Sequence, residues 1–137
     1  MKRFVVAGFM ALAIVAPAGA HHSISAEFDS NRPVTFTGTV TKIEWTNPHI
    51  YTHVEVKEPD GKTTVYRVEG GAPNTLFRQG WRKDTLKIGE SVSVTGIRAK
   101  NPASVNIGQA TILTAEGKRV FGGGGGGGGA AAPPANQ

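Results

Sequence analysis

His21 and His22 stand side by side directly after the small-residue triplet Ala18, Gly19 and Ala20, in a chain of 137 residues with four histidines and no cysteine. Cutting the chain after Ala20 would leave His21 with a free α-amine as well as its imidazole, and those two nitrogens can close on one metal ion. A third nitrogen from another histidine completes a brace that suits Cu(II), the divalent ion highest in the affinity order for such ligands. An α-amine with a pKa of about 8 yields its proton readily to a metal.

Cutting one residue earlier, after Gly19, places a histidine third in the chain, where the amine, two backbone amides and the imidazole chelate Cu(II) or Ni(II). Either product can therefore bind copper, in a different geometry. A plain polar terminus is the competing reading, because a histidine pair alone lacks the ligand spacing that specifies a metal motif.

His49 is the candidate third ligand. It follows Asn47 and Pro48 where one extended run hands over to the next, and proline restricts the backbone of the residue before it. The bland alternative is an imidazole that hydrogen-bonds to its own turn. His53 lies on the same face but about 13 Å further along a regular strand at roughly 3.3 Å per residue, too far to share an ion with His49, and reads as a surface histidine. Asp29 and Glu69 are candidate carboxylates to orient an imidazole from behind. Trp45 and Trp81 read first as core or rim packing; with Tyr51 they are also the aromatic residues that could form a ligand face without any metal.

These side chains need a scaffold, and the scaffold begins with a leader. Lys2 and Arg3, an apolar stretch from Phe4 to Val15, and the small triplet ending at Ala20 form an export signal, residues 1–20. Twelve apolar residues fall short of the roughly 20 that span a bilayer. Processing leaves 117 residues with 13 basic against 10 acidic side chains. That modest charge, in an exported protein, argues against nucleic acid as a partner. With no cysteine there is neither disulfide nor thiolate, so stability falls to a packed core and metal chemistry to nitrogen and oxygen.

Residues 21–32 read as an N-terminal arm and 33–121 as the folded domain. Residues 122–137, eight glycines and then alanines and prolines, read as a disordered tail. Within the domain, Val34, Phe36 and Val40 share one strand phase while Ile43 and Trp45 take the other, which requires a bulge near Thr41 and Lys42. A second run, His49 to Lys57, turns through "EPDGK" into a third, Thr63 to Glu69. "APNTLFRQGW" predicts a helix of about two turns, with Pro73 at its start and Gly80 just past its end. A fourth strand carries Val92 and Val94 inward, a fifth runs from about Val105 to Leu113, and "AEGK" leads to a short final run at Arg119 to Phe121. Three strands, one short helix and two strands make an all-β protein, a small five-stranded OB-like barrel with the helix between strands 3 and 4.

"HHSISAEFD", "TGTVTKIEWTNPH", "VEGGAPNTLFRQGW" and "LKIGESVSVTG" resemble the matching segments of a family of small exported proteobacterial proteins of unknown function. The resemblance implies export and a small β-domain, without an activity. Members tend to carry aromatic residues where this chain has His53, so a shared role falls to His49.

No GxSxG, Walker loop or HExxH motif is present, and no nucleophile, base and orienting acid can be named, so the chain reads as a non-enzyme. Two functions remain. One is a periplasmic copper-binding protein for storage, delivery or protection, built on His21, His22 and His49. The other is a metal-free periplasmic module whose face at Trp45, Tyr51 and Trp81 holds a peptide, a glycan or an envelope protein.

Overall fold

A computed structural model describes residues 24–121. The expected leader, the histidine pair at 21 and 22 and the glycine-rich tail lie outside the described residues. A single helical turn, α1 (Ile24–Glu27), runs directly into a long strand, β1 (Phe28–Glu44). Strands β2 (Tyr51–Lys57) and β3 (Thr63–Glu69) follow, then helix α2 (Pro73–Arg78), and finally β4 (Ser91–Ala99), β5 (Asn106–Thr114) and β6 (Arg119–Val120).

β1 pairs antiparallel with β2 on one side and β4 on the other, β2 with β3, and β4 with β5. A parallel contact of β3 with β5, Arg67 opposite Asn106 and Val68 opposite Ile107, brings the two ends of this sheet together. The result is a near-closed ring of five strands with α2 between β3 and β4, the OB-like barrel expected from the element order. β6 extends the sheet beyond β5.

The bulge anticipated from the phase change is present. Val40 pairs with Val54 but Lys42 with His53, so one extra residue, Thr41, is inserted on β1. Because side chains alternate at a period of two, that residue returns both Val40 and Ile43 to the interior on either side of the bend. Just before it, Gly38 crosses β2 so closely that a β-carbon would lie 2.4 Å from the Glu55 carbonyl. Only glycine permits this approach of two backbones.

β1 begins at Phe28, earlier than the run starting at Pro33 that the β-branched pattern predicts. Asp29 to Arg32 are polar and interrupt the β4 register, yet Phe28 beyond them is buried against Gly108 and pairs with Ala99. The apolar anchor, rather than the local pattern, sets the strand's beginning. The hairpin between β2 and β3 is a four-residue turn closed by the Gly61 N–H to the Glu58 carbonyl at 2.9 Å, with Gly61 at φ 84° supplying the left-handed step. α2 has no side-chain cap but starts on Pro73 and buries Leu76 completely, so packing holds it.

The core runs through the barrel from Val40, Val54, Val68, Val92 and Val94 to Ile107 and Ile112. One end is filled by aromatics: Phe121 meets Trp45 and Trp81 edge-on, with ring centres 5.8 and 6.0 Å apart. The connection from β1 to β2, which carries His49, leaves Trp45 at this end.

Candidate functional site

His49 lies between Pro48 and Ile50, a residue that the barrel fixes. The Asn47–Pro48 peptide before it is cis. After it, Ile50 is wholly buried, and its backbone exchanges hydrogen bonds with the double glycine that ends β3: Ile50 N–H to the Gly71 carbonyl at 3.0 Å and Gly70 N–H to the Ile50 carbonyl at 2.9 Å. A β-carbon on Gly70 would strike the Ile50 side chain at 2.6 Å, so the glycine lets the two segments meet. Their meeting brings the His49 imidazole to Glu69.

His49 Nδ1 pairs with the Glu69 carboxylate, which is mostly covered, while the imidazole itself is 42% exposed. Nε2, across the ring, has no hydrogen-bond partner among the described residues. A carboxylate behind a histidine fixes the ring and the nitrogen offered to a ligand, the arrangement that commonly backs metal-bound imidazoles. His49 and Glu69, both singled out from sequence, therefore come together.

A second polar group lies alongside on the outer face of β1, β2 and β3. Glu44 accepts from Lys42 Nζ at 2.9 Å and Arg67 at 3.2 Å, and its Oε1 lies 2.9 Å from His53 Nε2. The Lys42 hydrogen bond, aided by Arg67 and His53, holds the Glu44 carboxyl at about 2 against the desolvation that opposes it. His53 is 19% exposed, so the surface histidine expected from sequence is instead tucked into this network. Arg67 also stacks over the Tyr51 ring at 3.4 Å. Burial, then the negative charge of Glu69, raises the Tyr51 hydroxyl above its ordinary value; Arg67 opposes the shift and Glu27 adds to it.

Strand register ties the start of the described chain to this end of the barrel: Arg67, which covers Tyr51, pairs with Asn106, and Asn106 reaches Glu27. The arm is docked there by the residue after β4 and the first residue of β5: Lys100 N–H donates to the Glu27 carbonyl at 2.9 Å, Lys100 Nζ to the Ser25 carbonyl at 2.5 Å, and Asn106 Nδ2 to Glu27 Oε1 at 2.9 Å. Asp29 does not join His49. It accepts from Asn31 N–H at 3.0 Å and lines a separate depression of about 640 Å³ with Ser25, Phe28 and Lys100.

The aromatic face proposed from sequence does not assemble. Trp81 is 1% exposed and packs on Phe121 inside the core. Trp45 is partly buried against the same ring, and Tyr51 lies beneath Arg67. Each indole finds an apolar neighbour that local sequence does not reveal, and Tyr51 presents a cation rather than a bare ring.

Sequence reasoning missed Lys42, Glu44 and Arg67. The signal was available in the hairpin: once "EPDGK" turns the chain, antiparallel register sets Arg67 opposite His53 and Glu69 opposite Tyr51.

Among the described residues, no three histidine, aspartate or glutamate side chains converge as a metal cage. Among those residues, His49 is the imidazole that a neighbouring carboxylate orients from one side while its ring stays partly exposed. A family model, described as a family of unknown function (DUF6152), matches residues 10–109. No curated protein and no solved structure matches the chain.

Proposed function

This chain belongs to that family of unknown function, and from its geometry we propose that it is a non-catalytic periplasmic protein that binds copper for storage, delivery or protection. The ligands are the amine and imidazole of a processed His21, with the adjacent His22, and the imidazole of His49. The observation that carries this reading is the His49–Glu69 pair, which engages Nδ1 and keeps the imidazole 42% exposed. Docking of the arm adds support. Ser25 is held to Lys100, and His21 is four residues before it, a reach of about 13 Å along an extended chain. The open nitrogen set favours Cu(II) over the harder divalent ions.

The metal-free alternative loses its main feature with the burial of Trp81 and the covering of Tyr51. Export of the precursor, intact mass of the product, and Cu(II) titration followed by electron paramagnetic resonance test the copper reading. A tight, stoichiometric nitrogen-rich signal is expected. It should collapse when one glycine is added before His21 and weaken in His49→Ala. Weak, nonstoichiometric binding overturns the proposal. So does copper binding indifferent to both changes, as would a phenotype abolished by Tyr51→Ala alone.

A further inference from the structure

Away from the histidines, a groove of about 580 Å³ opens between β1, just after its bulge, and the segment that joins α2 to β4. Its floor is apolar: Leu86 and Ile43 are both buried side chains of the core. One wall is Ile88, which at 71% exposure is the most exposed of the large hydrophobic residues described. Ile88 occupies the second position of a tight turn, closed by the Glu90 N–H to the Lys87 carbonyl at 3.2 Å, with Gly89 at φ 95°. Turn tips take polar residues without penalty, so nothing in the fold requires isoleucine there.

The rim is cationic. Lys42, Lys83 and Lys87 surround the groove against one acid, Asp84. Lys42 is engaged by Glu44, whereas Lys83 and Lys87 make no ion pair among the described residues. By contrast Phe77, the other strongly exposed apolar side chain, is covered on one face by Arg82 at 3.9 Å. An apolar floor with two unengaged ammonium groups at its lip matches a molecule with an alkyl chain and a negative head.

We propose that this groove binds a single-chain anionic amphiphile, with its alkyl chain along Ile43, Leu86 and Ile88 and its head group on Lys83 and Lys87. The apolar contact supplies affinity and the lysines select the charge. A recessed floor favours one inserted chain, because a bilayer surface would meet only the tip at Ile88. The site shares no ligand with the copper proposal and stands if that proposal fails.

The test is calorimetric titration of the purified chain with dodecyl phosphate below its aggregation concentration, with amide shifts in a ¹H–¹⁵N spectrum mapping the contact. Saturable one-to-one binding is expected, with shifts at residues 42–43 and 83–89. Ile88→Ser should reduce affinity at least tenfold, as should the double variant Lys83→Gln/Lys87→Gln. Both sites are on the surface, and an unchanged thermal midpoint verifies the fold. Dodecyl maltoside, which has the chain without the charge, should bind at least tenfold more weakly. Equal affinity for the two detergents overturns the proposal, as does binding unmoved by the variants. Capture by phosphatidylglycerol vesicles without saturable binding of the monomer also overturns it and makes the surface a membrane contact instead.

Discussion

Glu44 receives three positively charged or hydrogen-bonding partners, Lys42, His53 and Arg67, from three adjacent strands. Its carboxyl sits at about 2, below the 4.5 of a free side chain, so folding favours the ionised form. The stabilisation is complete above pH 4.5 and is lost as pH falls through the folded value of about 2. Glu44→Gln should therefore lower stability by about 1 kcal/mol at neutral pH, after allowance for the water that still reaches the group. Chemical denaturation of both proteins should show the difference shrinking as pH drops from about 5 to about 2; a constant difference would place the effect in packing rather than charge. Glu69 makes the parallel case for binding. If it orients His49, Glu69→Gln should weaken copper by about tenfold or more while the imidazole remains in place, read by competition with a chelator of known affinity.

At the scale of elements, the arm and the β4–β5 connection form a clamp. Asn106 reaches Glu27 and Lys100 reaches both Glu27 and Ser25, so residues 25–27 are held against the barrel, and the copper proposal uses that anchor. Preordering a ligand-bearing segment removes an entropic cost from binding. Asn106→Ala should accordingly weaken copper severalfold, while the barrel, which loses one exposed hydrogen bond worth about 1 kcal/mol, changes its melting midpoint by only a few degrees. An unchanged copper isotherm would remove arm docking from the mechanism. The elements themselves were largely legible: alternation marked the strands, and the phase change between Val40 and Ile43 marked the bulge that bends β1. What stayed hidden is non-local. Trp81 disappears into the core because Phe121, forty positions on, packs against it, and no periodicity around Trp81 contains that contact. Glu69 and His49 were each visible as chemistry-bearing residues, yet their pairing depends on the double glycine meeting Ile50.

The whole molecule has no disulfide to assist it, and its ring closes through only two β3–β5 residue pairs. Closure must then be secured by what fills the barrel. At the end nearest the His49 connection that filling is Trp45, Trp81 and Phe121, contributed by the position just past β1, the residues after α2, and the position just past β6. Phe121 links the other two rings and is itself nearly inaccessible, although it adopts a left-handed backbone at φ 49°. A bulky residue in that conformation persists only where surrounding packing outweighs its strain. Phe121→Ala should cost about 3–5 kcal/mol, a midpoint lowered by about 15 °C or more in a domain of this size. Tryptophan fluorescence should report the same event as a red shift, because Trp81 loses its apolar neighbour and water gains entry. Phe121→Leu, which keeps most of the volume, should recover most of the stability but not the edge-on contacts. If Phe121→Ala melts like the parent chain, the aromatic cluster is not what keeps this end closed, and the two-pair β3–β5 seam must hold the ring unaided.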